Sequence, residues 1–138
     1  MTITTDNNSK IELKIQREIR QVEDDLVIYI QDALDNTKYG DLKSSQFRNL
    51  VQVASNTESA EVIKNFLRYQ VGRESKWGRG KDSLAERIIA DINSKIKEHA
   101  KAIQTTAKTE SYKPIWLSLI RLYLGYGARY LMYLRPEK

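Results

Sequence analysis

The most apolar stretch of the chain is residues 115–134, which read IWLSLIRLYLGYGARYLMYL. Pro114 stands just before it, and the first turn of a helix tolerates proline. Apolar and aromatic side chains cover nearly the whole circumference of the helix that this stretch would form, so we expect it to lie at the centre of a bundle. Arg121 and Arg129 argue against a membrane span, because each would cost about 2.5–3.5 kcal/mol near the centre of a bilayer.

Four more helical segments precede this one, and no segment alternates as a strand would. Apolar residues recur every three or four positions over residues 10–35, 45–55, 55–71 and 83–107. The chain has 138 residues, with only two prolines and six glycines. We therefore predict an all-α fold, a single-domain bundle of about five helices over residues 10–138 with a largely buried C-terminal helix. Residues 1–9 are expected to be a disordered N-terminal tail.

The composition is that of a globular protein, with 41% hydrophobic and 30% charged residues. The absence of cysteine excludes disulfides, thiolate catalysis and zinc fingers, and fits a reducing cytosol. The first nine residues lack the basic and apolar regions of a secretory signal. These features predict a cytoplasmic protein with no membrane partner.

Charge is distributed unevenly along the chain. Residues 1–42 carry a net charge of −4, whereas residues 43–138 carry +9. This asymmetry indicates an acidic surface and a basic surface, and the basic one is a candidate footprint for a polyanion. It would also let one copy of the protein attract the next, head to tail.

The strongest functional signal is residues 69–81, YQVGRESKWGRGK. This segment links two helices and combines three glycines and Trp77 with four basic residues against one acid. Cations, backbone freedom and a flat aromatic ring suit a flexible polyanion such as nucleic acid. A solvated, mobile loop is the alternative. Trp77 is suited either to stack on a base or to pin the loop to the body of the protein.

Further cations extend this pattern onto the helices. Lys64 and Arg68 are four residues apart, which is mildly repulsive unless an anion lies across them. Arg73 continues their line into the loop. On the last helix, Arg121 and Arg129 lie on one narrow stripe with small residues between them. The alternative for these two arginines is pairing with acids of the first helix, such as Asp24 or Asp25.

An enzyme is hard to build from these residues. His99 is the one histidine and stands in a strongly charged stretch, as expected of a solvated side chain without an orienting partner. No phosphate-binding loop of the G-x-x-x-x-G-K-[ST] type is present. The consecutive acids Glu23, Asp24 and Asp25 would spread around a helix rather than converge on a metal ion. We therefore predict no active site, no metal and no cofactor.

Three stretches resemble one known family. Residues 42–50 (LKSSQFRNL) resemble the T-x-S-Q-[IL]-R segment near the start of the small α-helical subunit of type III CRISPR–Cas effector complexes, the type III-A form in particular. Residues 66–74 (FLRYQVGRE) are similar to its apolar-basic-x-Y-x-x-G-R helix end, and residues 122–134 to its closing aromatic-rich helix. The insert at residues 75–81 and the long acidic first helix depart from the type III-A pattern and suit a variant subtype such as type III-D.

The resemblance implies a helical bundle that stacks as several copies along the guide-bearing backbone of the complex. It would contact the guide–target RNA duplex by charge and shape, without catalysis. Its implied partners are guide RNA, target RNA, the backbone subunits and further copies of itself. By their positions in the stretches that resemble this family, Arg48, Arg73 and Arg129 are expected to face RNA, with Gln46 as a polar neighbour.

Charge and resemblance together predict one basic groove for nucleic acid. Its candidate residues are Gln46, Arg48, Lys64, Arg68, Arg73, Lys76, Trp77, Arg79, Lys81, Arg121 and Arg129. One alternative is a protein–protein adaptor with a basic surface for an acidic partner. Another is a helix-turn-helix DNA-binding regulator over residues 45–69, although Glu58 and Glu61 would repel DNA there.

Overall fold

The computed structural model describes residues 2–137, and their side chains from residue 7 onward. Six α-helices and one π-helical turn follow one another along the chain. They are α1 (Thr2–Asn36), α2 (Ser44–Ser55), α3 (Ala60–Arg73), α4 (Leu84–Asp91), the π turn (Ile92–Ile96), α5 (Lys97–Ala107) and α6 (Lys113–Leu134). Because α4, the π turn and α5 form one continuous rod, the predicted all-α bundle of about five helical segments is confirmed.

The helix ends differ from the sequence-based expectation at two places. Helix α1 begins at Thr2, so residues 2–9, expected as a disordered tail, belong to its first turns; Met1 lies outside the described residues. Helix α3 begins at Ala60 rather than at the predicted residue 55, because the Ser59 hydroxyl caps it by accepting from the backbone N–H of Val62 at 3.3 Å. None of the helices described combines the length and apolar character needed to cross a membrane.

Helix α6 packs against α1, α2 and α5 and supplies a large share of the core, as its sequence predicts. Its exposed side lies between α1 and α2. Gly127 is buried where these helices come closest. A Cβ atom at this position would lie 2.7 Å from both Ile30 of α1 and Phe47 of α2. The absence of a side chain at Gly127 therefore sets how closely α1 and α2 approach α6.

Replacing Gly127 with alanine is expected to lower the free energy of unfolding by about 1–3 kcal/mol, because the added methyl group overpacks the contact with Ile30 and Phe47. Gly125 is the matched control on the same helix, since a Cβ atom there meets nothing within 4 Å. Gly125→Ala should raise stability by up to about 1 kcal/mol through helix propensity. Urea unfolding of the two variants measures both effects, and equal effects would contradict this packing.

The π turn is held by side chains from two other helices. A π turn leaves backbone groups out of the regular α-helical pattern. The indole N–H of Trp116 donates to the carbonyl oxygen of Ile92 at 2.8 Å, inside the core. The ammonium group of Lys64 donates to the side-chain amide oxygen of Asn93 at 2.8 Å. Helices α3 and α6 thus both attach to the middle of the α4–α5 rod.

A buried carboxylate stands directly before the π turn. Asp91 is 2% exposed and accepts hydrogen bonds from the Tyr123 hydroxyl at 2.7 Å and from Arg87 Nε at 3.1 Å. Arg87 also donates to Asp32 of α1 at 2.7 Å. Burial, reinforced by the charge of Asp91, raises the pKa of Tyr123 well above its usual value. This network joins α1, α4 and α6.

Two loops are tied together at one end of the bundle. After α1, the backbone of Lys38 bonds to the α3–α4 loop twice: its N–H donates to the carbonyl oxygen of Asp82 at 2.9 Å, and its carbonyl oxygen accepts from the N–H of Leu84 at 3.2 Å. The backbone N–H of Gly40 donates to the carbonyl oxygen of Lys76 at 3.1 Å. The α1–α2 loop and the α3–α4 loop therefore form one backbone-bonded unit, which positions the basic segment described next.

Candidate nucleic-acid interface

The basic α3–α4 loop is anchored in the core by its tryptophan. Trp77 is 1% exposed and packs on Phe47, with ring centroids 5.3 Å apart. Its carbonyl oxygen accepts from the N–H of Ala85 at 3.1 Å. Of the two roles open to Trp77, the structure therefore has it pinning the loop to the body. Its prediction as a nucleic-acid-binding residue is wrong, because a buried ring presents no face to a base.

Lys64 does not belong to the interface either. Only 5% of the residue is exposed. Its ammonium group lies 2.7 Å from a carboxylate oxygen of Glu61 and 5.8 Å from the ring centroid of Trp116, in addition to its bond to Asn93. The role expected of Lys64 in binding phosphate is therefore wrong, because its charge is already used inside the fold.

Arg121 has a structural role as well. Its guanidinium donates to the carbonyl oxygens of Ala54 at 2.8 Å and Thr57 at 2.7 Å, and so satisfies carbonyl groups where α2 ends. Both predictions for Arg121, a contact with RNA and a pairing with Asp24 or Asp25, are therefore wrong, because its guanidinium binds these carbonyl oxygens instead.

Four predicted residues do come together, in what we call the α2–α3 groove. It lies between α2, α3 and the basic loop, and Gln46, Arg73 and Lys76 line it together with the buried Trp77. The amides of Asn49 and Gln70 line it too, so the groove combines cations with groups able to donate and accept hydrogen bonds. The acid in the groove is Glu74, which leaves a positive balance among the charged side chains lining it.

A second depression adjoins this groove and shares Arg73 with it. Arg79 lines its other side and donates to the carbonyl oxygen of Val71 at 3.1 Å, which fixes the arginine against the end of α3. Lys81 lies elsewhere, in a depression next to Lys38 and Glu86. The loop therefore directs Lys76 and Arg79 toward Arg73, and Lys81 away from it.

Arg48 and Arg129 lie on the other side of α2, on what we call the α2–α6 face. Gln46 and Arg48 are two residues apart, so at about 100° per residue they point about 160° apart around α2. The Ser44 hydroxyl lies 3.9 Å from the sulfur of Met132, which puts Arg48 and Arg129 at the same level on the antiparallel helices. Both arginines are exposed.

The three arginines placed by the resemblance therefore do not converge on one groove, as the sequence analysis expects. Arg48 and Arg129 share the α2–α6 face, and Arg73 lies across α2 from them. Among residues 2–137, no carboxylate pairs with any of the three. Hydrogen bonds from Ser45, together with the charge of Arg48, lower the pKa of the nearby Glu137 carboxyl.

Helix α2 itself carries no acidic residue along its whole length, Ser44–Ser55. Its exposed crest consists of the uncharged polar side chains of Ser45, Asn49 and Gln52. The hydroxyl and the backbone N–H of Ser45 donate to the carboxylate of Glu137 at 3.0 and 3.1 Å, so that Asn49 and Gln52 form the uncharged polar ridge between the cations of the α2–α6 face and those of the α2–α3 groove.

The interface also contains residues that the sequence analysis did not select. Asn49 and Gln70 face the groove, and Tyr69 stands exposed on α3 between Arg68 and Arg73. A helical projection of α3 would have found Tyr69, because it points about 160° away from the buried Leu67 and about 120° away from the buried Ile63.

The arrangement offers charge and hydrogen bonding rather than reactive groups. Within the described part of the chain, no three acidic or histidine side chains come together to hold a metal ion. His99, expected to be solvated, is half-buried, with Nε2 3.0 Å from the Tyr29 hydroxyl and 3.4 Å from Asp25.

No family model, curated protein or solved structure matches this chain at a significant level. The resemblance of residues 42–134 to the small subunit of type III complexes accordingly stays a prediction.

Proposed function

We propose that this protein is a non-catalytic RNA-binding structural subunit of a type III CRISPR–Cas interference complex. In this role it stacks along the guide RNA-bearing backbone and contacts the guide–target duplex by charge and shape. The resemblance of three sequence stretches supports the identity of the complex. The surface around α2 supports the binding of RNA.

The observation that carries the proposal is helix α2, which has no acidic residue of its own and is flanked on both sides by cations that pair with no carboxylate among residues 2–137. Arg48 and Arg129 lie on one flank, and Arg73 and Lys76 on the other. Such a ridge suits a groove bordered by two phosphate backbones, since phosphate contacts supply affinity that does not depend on sequence. The minor groove of an RNA duplex is wide and shallow and displays 2′-hydroxyls, which the side chains of Asn49 and Gln52 are suited to meet.

We expect the isolated protein to bind an RNA duplex with little sequence preference and with a steep dependence on salt. The double variant Arg48→Gln/Arg73→Gln removes one cation from each side of α2. It should weaken binding and reduce the slope of log K against log salt by about one unit for each phosphate that is no longer neutralised. Fluorescence anisotropy over a salt series measures both quantities, and the unfolding midpoint should stay unchanged because both side chains are exposed.

Arg17→Gln is the matched control, since Arg17 is an exposed arginine on α1, away from α2. It should leave the slope and the affinity unchanged. Binding that is flat in salt, or an equal loss of affinity in the Arg17 variant, would contradict the proposal. Retention of an acidic protein partner after nuclease treatment would instead favour the adaptor alternative.

A further inference from the structure

The outer surface of α3 carries a row of side chains of which the proposed duplex-binding surface uses only one, Arg73. Asn65, Tyr69 and Arg73 follow one another at four-residue spacing, so they line up along one side of the helix. Arg68 stands beside this row. We call these four residues the α3 row. All four are exposed.

Tyr69 is the unusual member of the α3 row. It is 58% exposed, and the guanidinium of Arg73 lies 5.9 Å from its ring centroid. Among the described residues, no other aromatic ring packs against it. The other strongly exposed tyrosine, Tyr133, differs because it stacks on Tyr130 with ring centroids 5.9 Å apart. Tyr69 thus presents an open aromatic face next to a cation.

The chemistry of the α3 row matches an unpaired nucleotide. An aromatic ring stacks on any base that has left a helix, and an adjacent arginine binds phosphate. The amide of Asn65 both donates and accepts, as the exposed edge of a base requires. A base inside a continuous duplex offers Tyr69 no face, because both of its faces are covered by neighbouring base pairs. The row therefore favours single-stranded RNA over duplex.

We infer that the α3 row is a second RNA-binding site, specific for unpaired nucleotides, in which Tyr69 stacks on a base and Arg68 and Arg73 hold the flanking phosphates. This inference extends the proposed function to RNA that is not base-paired, such as a strand leaving the duplex that lies on α2. The two sites meet at Arg73, which also lines the α2–α3 groove.

The test compares Tyr69→Leu with Tyr69→Trp and with Tyr133→Leu. The probes are a short oligouridine carrying one 2-aminopurine and a blunt RNA duplex of the same length. Tyr69→Leu should weaken binding of the single strand by about fivefold to a hundredfold and abolish the quenching of 2-aminopurine, while duplex affinity changes little. Tyr69→Trp should retain both affinity and quenching, and Tyr133→Leu should behave as the unchanged protein.

The outcomes separate this inference from the proposed function. An equal loss of affinity for both probes, or undiminished binding of the single strand in Tyr69→Leu, overturns the stacking site. The double variant Arg48→Gln/Lys76→Gln should lose duplex binding but still quench the 2-aminopurine of the single strand. That result supports both the duplex site on α2 and the α3 row. If the unchanged protein quenches the single strand but binds no duplex, the proposal for α2 fails and the α3 row stands.

Discussion

Replacing Trp77 with alanine is expected to lower the free energy of unfolding by about 3–5 kcal/mol, as for other large aromatic side chains removed from a core. Trp77 is 1% exposed and fills the space between Phe47 and the backbone of the basic loop. The loop is tied through Gly40 and Lys38 to the end of α1, so the substitution affects two loops at once. Urea unfolding measures the change in stability.

Trp77→Phe should be less destabilising than the alanine variant, because it keeps an aromatic ring against Phe47. Lys76→Ala is the neighbouring control, and it should change stability little because its ammonium group holds no carboxylate among the described residues. Limited trypsin digestion adds a local measurement: cleavage after Arg79 or Lys81 should be faster in Trp77→Ala. A destabilisation below about 1 kcal/mol would mean that the loop is not anchored by this side chain.

Replacing Asp91 with alanine is expected to cost about 3–5 kcal/mol, because it leaves the Arg87 guanidinium and the Tyr123 hydroxyl without their buried partner. Asp91→Asn keeps the shape and some hydrogen bonds, so it should be less destabilising. Chemical unfolding at neutral pH provides the comparison.

Asp32→Ala is the matched control, because Asp32 binds the same arginine from the protein surface. The side chain of Asp32 is 49% exposed, compared with 3% for Asp91. An exposed ion pair contributes at most about 1 kcal/mol, so this variant should stay close to the unchanged protein. If the two aspartate variants are equally destabilised, burial is not what makes Asp91 important.

The helical architecture could be predicted from the sequence because it rests on local spacing. Apolar residues three and four apart mark each helix, and the nearly continuous apolar surface of residues 115–134 marks the central one. The predicted start of α3, residue 55, is wrong, because Ser59 caps the helix and the residue three positions after it, Val62, gives no capping-box pattern in the sequence.

The interface was only partly predictable, because the depth of a long basic side chain depends on partners far away in sequence. Lys64 meets Asn93 and Arg121 meets Ala54, contacts that no local pattern contains. Trp77 stands in a segment without periodicity, so its two possible roles could not be separated. The opposite directions of Gln46 and Arg48, in contrast, follow from their spacing on one helix, and a projection of α2 would have shown them.

The π turn has a consequence for the α4–α5 rod as a whole. Its buried residues Ile88, Ile92, Ile96 and Ala100 are spaced by four, and in a regular α-helix three such steps would rotate the last about 120° away from the first. A π turn holds more residues per turn, which cancels much of this drift. If the same residues formed a regular α-helix throughout, Lys97 and everything after it would be turned by about 100° relative to α4. The extra residue of the π turn therefore keeps the buried residues of α4 and of α5 on the same side of one rod.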